Sequence, residues 1–177
     1  MTLVVSAIGL GRILHRGEMA VYLPTQGVEY RQVYPAGATT YLSEIDFQGN
    51  LMTPFGVGAY VSWQLHPNVK VGMDSRYEVA CAPELAEENM RIYQGDGDWR
   101  EFLDRHPTDA VLVPALGPLD SLMTGHAPGS PEATGHASPT WIEVFRDDAY
   151  AIFALPARAE RMPRVDRTGQ PIVGPFP

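Results

Sequence analysis

Cysteine is almost missing from this chain of 177 residues. Cys81 stands alone, which excludes an internal disulfide and leaves both a reducing and an oxidising compartment open. A buried, inert thiol is the ordinary state of such a residue. Positive charge is also scarce: 13 Lys and Arg face 21 Asp and Glu, for a net charge of −8. An acidic body repels phosphates and so loses the main source of affinity for nucleic acid, which excludes that class of partner. No apolar run reaches the roughly 20 residues that a membrane-spanning helix needs. Long polar tracts are missing as well. With 45% hydrophobic and 19% charged residues, the composition is that of one globular domain with a single core and some extensions.

The patterns that usually carry chemistry are equally thin. No G-x-S-x-G nucleophile elbow occurs, and no hydrolase triad can be assembled. Of the histidines His15, His66, His106, His126 and His136, only His126 and His136 pair up, ten positions apart in a loop. A zinc site wants three or four ligands at closer, firmer spacing, so no metal site is assigned. Asp96 and Asp98 in GDGDW lack the other ligands of a calcium loop and fit a turn and helix cap ahead of Trp99. Gly56 and Gly58 follow a short strand and open a helix, with Asp74 after the next strand, which echoes a dinucleotide fingerprint. Val61 fills the position of its third glycine, and Pro54 and Phe55 interrupt its loop. Glycines that ease a tight turn explain the pattern better, and no cofactor is assigned.

Each end of the chain carries something distinctive. Thr2 to Leu14, TLVVSAIGLGRIL, is apolar apart from Arg12 and is followed by His15 and Arg16. It lacks the basic start and small-residue cleavage site of a secretory signal. Residues 1–16 are therefore read as a membrane-proximal or docking segment, either the end of a transmembrane helix or a short piece that docks on a membrane or partner. An ordinary buried strand or helix is the plain alternative. At the other end, Arg158, Arg161, Arg164 and Arg167 recur every three residues among prolines. In a polyproline II conformation they line one edge. Residues 156–177 are expected to form an extended arm that grips an acidic surface, this domain's own or a protein partner's. A disordered solubilising tail is the alternative. Against Glu160 and Asp166 the four arginines give the arm +2, so the remainder carries −10.

Between these ends, residues 17–34 read as a connector and residues 35–155 as the domain. Pro35 opens a helix with Tyr41, Leu42 and Ile45 on one face, which Gly49 and Asn50 stop. LMT is a short strand. PFGVGAYVSWQL is a helix with a stripe of Val57, Tyr60, Val61 and Leu65, ended by His66 and Pro67. VKVGM is a strand, PELAEENMRIY and WREFLDRH are helices, and DAVLVP is a wholly apolar buried strand. LGPLDSLM is at most a short helix, and residues 124–140, which contain TGHA twice, form a loop. WIEVF and AYAIFAL flank RDD as an antiparallel hairpin. The order predicts an α/β fold: a three-layer mixed sheet with flanking helices and a C-terminal antiparallel hairpin. Ligands of such sheets bind beyond the carboxyl ends of the strands. Asp74 and Arg76 in VKVGMDSR stand there, as a ligand-contacting or a structural pair. With no nucleophile, metal cluster or phosphate loop beside them, the structural ion pair is preferred.

GAYVSWQL, VKVGMDSRYEV, the helix leading into GDGDWREFLDRHPTDAVLVP, and WIEVFRDDAYAIFAL together resemble a known domain. It is the C-terminal extracytoplasmic domain of polytopic bacterial membrane proteins similar to lipid-linked-sugar glycosyltransferases, of the oligosaccharyltransferase and mannosyltransferase kind. The resemblance spans residues 34–155. It implies that Thr2 to Leu14 is the remnant of a membrane helix and that catalytic carboxylates and metal lie on membrane-portion loops outside this chain. The acceptor-binding Trp-Trp-Asp motif would fall near Pro54 to Gly58, where PFGVG stands, so acceptor binding is not carried over. The expected function is a non-catalytic, membrane-associated accessory subunit on the extracytoplasmic (periplasmic) side, docked on a membrane protein complex through residues 1–16 and the arm. Met1 at the start favours this over the alternative, the soluble domain of a larger glycosyltransferase-like enzyme. A nucleotide-binding α/β enzyme is the second alternative.

Overall fold

The computed structural model describes residues 34–73, 82–125 and 141–170. They build a six-stranded mixed sheet with helices on both faces, the α/β layering expected above. In chain order the elements are α1 (Ala36–Glu44), β1 (Gly49–Met52), α2 (Gly58–Leu65), β2 (Val69–Val71), α3 (Pro83–Tyr93), α4 (Trp99–Arg105), β3 (Ala110–Pro114), α5 (Pro118–Met123), β4 (Ile142–Arg146), β5 (Tyr150–Ala154), α6 (Pro156–Ala159) and β6 (Val165–Asp166). The strand order is β2-β1-β3-β5-β4-β6. β1 pairs in parallel with β2 and β3, β5 is antiparallel to both β3 and β4, and β6 runs parallel to β4. The β4–β5 pair is the expected antiparallel hairpin.

Two apolar layers sandwich the sheet, and strand alternation sorts the side chains between them. In β3, Ala110 and Leu112 join α1 and α2 through Ala38, Tyr41, Leu42, Val61 and Leu65. Val111 and Val113 join α3, α4 and α5 on the opposite face, through Ile92, Trp99, Phe102, Leu103 and Leu119. β5 divides in the same way, Ile152 to the first layer and Phe153 to the second. Coverage on both faces is why AVLVP carries no polar position. α3 begins with Pro83 at its first turn, with Glu84 beside it and Arg91 near its end, all favourable to the helix termini. Asp98 caps α4, accepting from the N–H groups of Arg100 and Glu101 at 3.0 and 3.1 Å, the capping role expected of GDGDW.

Three local readings change. Gly49 and Asn50 end no helix; α1 stops at Glu44, and these two residues open β1. The Asp109 carboxylate accepts from Asn50 N–H at 2.8 Å, and a Cβ at Gly49 would sit 2.6 Å from its Oδ2. The glycine thus makes room for a side chain that joins β1 to β3. Pro54 to Val57 form a turn before α2, with Val57 N–H donating to Pro54 O. The third change concerns the tail. Its described part is no free polyproline edge: α6 and β6 fold onto the body. Met162 is buried in the α1–α2 layer, and the Tyr41 hydroxyl donates to Pro163 O at 2.8 Å. β6 then extends the sheet beside β4.

Candidate functional site

The connectivity puts a crevice at the carboxyl ends of β1 and β3. From β1 the chain moves outward to β2, then crosses back over β1 to β3, so the direction of winding reverses between those two strands. Such reversals open a gap between adjacent loops, where α/β proteins hold ligands. Here the loops are Thr53 to Val57 and Ala115 to Gly117.

Among the described residues, Thr53, Asn89, Asp120 and Glu143 at this edge bond to the chain itself. Thr53 is fully buried, and its hydroxyl donates to Met73 O at 2.6 Å, fixing the end of β2 against the end of β1. Asn89 of α3, also fully buried, donates through Nδ2 to Thr53 O at 3.2 Å; its Oδ1 has no hydrogen-bond partner among the described residues. Beside them Phe55, Pro83, Ala86, Glu87 and Met90 line an open cavity of about 310 Å³. This lining is apolar except for Glu87. Gly56 is not needed for close approach, since a Cβ there would meet nothing within 4 Å, and Val61 is fully buried in the core. Gly56 therefore stands in an open turn, without the crowded phosphate approach of a dinucleotide site.

The strongest charge cluster lies along the same edge. Arg146, at the end of β4, donates to both oxygens of Asp120 at 2.7 and 3.1 Å and to Glu143 Oε2 at 2.5 and 3.0 Å. Asp120 is only 5% exposed and also accepts from Leu116 N–H at 2.9 Å. That bond holds the turn in which Leu116 takes φ 60 and stands 90% exposed. Hydrogen bonds donated to the two carboxylates push the Arg146 pKa still higher, so the guanidinium stays charged. The group clamps α5 to β4. In the turn that follows, Asp147 Oδ1 accepts from the N–H groups of Ala149 and Tyr150 at 2.8 and 2.7 Å. Asp147 is 2% exposed, its Oδ2 lacks a partner among the described residues, and burial raises its pKa from the usual 3.8.

Of the residues singled out from sequence, Asp74, Arg76 and Cys81 lie outside the described residues, as do residues 1–16, His126 and His136. The arginines of the tail divide into two kinds. Arg158 pairs with Asp109 at 3.0 Å and Arg167 with Glu44 at 2.9 Å, both within this domain. Arg161 and Arg164 are exposed, with no ion pair among the described residues. Arg161 joins Arg158, Asp46, Gln48, Phe47 and Met162 around a cavity of about 240 Å³ at the opposite edge of the sheet. Sequence reasoning missed the Asp120–Arg146–Glu143 group, although an arginine ending an apolar strand signals a carboxylate elsewhere. It also passed over Trp63. The stripe Val57, Tyr60, Val61 and Leu65 leaves that residue on the outer side of α2, where it is 58% exposed. There Tyr60 bridges Trp63 and Tyr34, with ring centroids 6.5 and 4.9 Å apart.

Among the described residues, no three of His, Cys, Asp and Glu are placed to hold a metal ion, and no helix is long and apolar enough to cross a membrane. Comparison with protein-family models, with curated proteins and with solved structures returns no match to this chain.

Proposed function

We propose that this chain is a non-catalytic interaction module, a membrane-associated accessory subunit that docks on a membrane protein complex from the extracytoplasmic side. The observation that carries this reading is the engagement of the carboxyl edge with itself. Thr53 is bonded to Met73, Asp120 and Glu143 are matched to Arg146, and the cavity beside them is lined by apolar side chains and Glu87. Such an edge gives rigidity to a scaffold. Interaction chemistry lies instead on the outer surfaces, in the exposed arginines Arg161 and Arg164 and in the aromatic face of α2. The apolar stretch Thr2 to Leu14 supports membrane association.

Purification of the full chain from its native membranes in mild detergent tests this reading. The expected result is a stable complex that retains membrane proteins through size exclusion and loses them when Arg161 and Arg164 are both changed to Glu. Recovery of the wild-type chain as a free monomer in the aqueous fraction contradicts it. A second reading, a nucleotide-binding enzyme, draws on the reversal of winding between β1 and β3. Thermal shift with NAD(P), ATP and nucleotide sugars separates the two: stabilisation by any of these ligands favours the enzyme.

A further inference from the structure

Charge is distributed unequally between the helices on the two sides of the sheet; on the α1–α2 side most of it is brought by the arm, which packs there through Ala159, Met162 and Val165. From Tyr34 to Val69, which includes α1 and α2, the only charged residues are Glu44 and Asp46. Glu44 is already paired with Arg167. From Phe47 to Val69 there is no charge at all. On the other side, residues 82–107 hold ten charged residues. A helix packed on a core by one face ordinarily carries charged groups on the other. α2 does not: its outer surface presents Trp63 and, beside it, half-buried Tyr60 and Tyr34.

Trp and Tyr have an apolar ring body and a polar tip, which suits them to the boundary between hydrocarbon and water. Seating a charge there costs free energy unless it is paired, so a surface that enters this boundary has to be nearly free of charge. The molecule is acidic, at −8 overall, so anionic headgroups repel most of it, the arginines of the arm apart. An uncharged aromatic face on an acidic body is thus fitted to a lipid interface entered by apolar insertion, without electrostatic attraction. In sequence, Tyr34, which packs on Tyr60, follows the apolar stretch Thr2 to Leu14 after nineteen intervening residues.

We infer that the surface made by Trp63 on the outer side of α2, with the exposed parts of its neighbours Tyr60 and Tyr34, is what this domain lays on the lipid bilayer, with the Trp63 indole at the level of the headgroups. The inference rests on the membrane-associated reading above and adds the orientation and the chemistry of the contact. Sedimentation of the full chain with phosphatidylcholine vesicles tests it, together with quenching of tryptophan emission by brominated acyl chains. The expected result is binding that neither added phosphatidylglycerol nor raised salt strengthens, with part of the emission quenched. Trp63→Phe should keep the binding and lose that quench. Trp63→Glu should weaken partitioning about tenfold or more while leaving the denaturation midpoint unchanged. If the quench persists in Trp63→Phe, or if binding requires phosphatidylglycerol and disappears in salt, the aromatic face is not the contact. If Ile8→Asp abolishes sedimentation and Trp63→Glu leaves it intact, membrane association stands and this face falls. No sedimentation of the wild-type chain overturns the face alone, because docking on a protein complex is read separately by co-purification.

Discussion

α3 and α4 on one side of the sheet, and α1 and α2 on the other, each bury an apolar layer against it but present different outer surfaces. The α3–α4 side is dressed in ion pairs: Glu88 with Arg105, Arg91 with Asp96, and Arg105 with Glu101. It is built to be wetted. On the other side α1 and α2 themselves carry only Glu44 and leave an indole in the open, the remaining charge there coming mainly from the arm. The sheet requires an apolar inner face from both layers, so the inner residues report the fold. The outer residues are free of that demand and report the surroundings instead. On the proposed reading, fold stability and surface contact belong to different sides of the same helices.

The largest test of this separation is a pair of aromatic truncations. Phe102 of α4 is fully buried in the second core layer, and Phe102→Ala should cost about 3–5 kcal/mol in urea denaturation. Trp63→Ala removes a larger ring and should stay within about 0.5 kcal/mol. A large loss at Trp63 would mean that the ring supports the fold, and the comparison would break. The next effect belongs to the charge cluster. Asp120→Ala leaves Leu116 N–H without its acceptor and Arg146 with Glu143 alone, and about 2–3 kcal/mol of stability should go. A loss below about 0.5 kcal/mol would show that Glu143 suffices.

Much of this architecture was legible in the sequence because periodicity and start signals agree there. Pro83 with Glu84 marks α3, and the unbroken apolar run of β3 marks a strand covered on both faces. β6 was not legible, because two residues of strand have no periodicity and are held by Met162, Tyr41 and the pairing of Phe145 with Val165. Gly49 misled because its reason is the Asp109 carboxylate, sixty positions away. The Asp120–Arg146 clamp depends on a contact across 26 positions, which no local pattern encodes. Trp63 was visible as an off-stripe aromatic; only its exposure turned that into information. The membrane segment, the extracytoplasmic location and the resemblance to glycosyltransferase-associated domains remain expectations from sequence that support the proposal.

A smaller effect concerns pH. Burial raises the pKa of Asp147 above its usual 3.8, so its folded form favours the proton more than its unfolded form does. This contribution is present in full below 3.8 and is lost as pH rises through the folded pKa. Asp147→Asn retains the acceptor for the Ala149 and Tyr150 N–H groups and removes the buried charge. Its stability relative to wild type should therefore improve from acid to neutral pH, read as denaturation midpoints across that range. A constant difference would place the carboxylate in contact with solvent. The smallest change is expected on the charged side. Arg105→Ala removes exposed pairs with Glu88 and Glu101 and should cost less than about 1 kcal/mol. A greater cost would show that those ion pairs hold α4 to α3, beyond keeping that side wetted.

The orientation of the two sides can be read in one experiment. In a Cys81→Ser background, a nitroxide is placed at position 63 of α2 or at position 101 of α4 in the full chain, with and without phosphatidylcholine vesicles. The account predicts that vesicles shield position 63 from a water-soluble relaxation agent and open it to oxygen dissolved in the bilayer, while position 101 stays as accessible to the aqueous agent as before. Equal accessibility of the two positions on vesicles that have bound the chain, or shielding of position 101 alone, would contradict it.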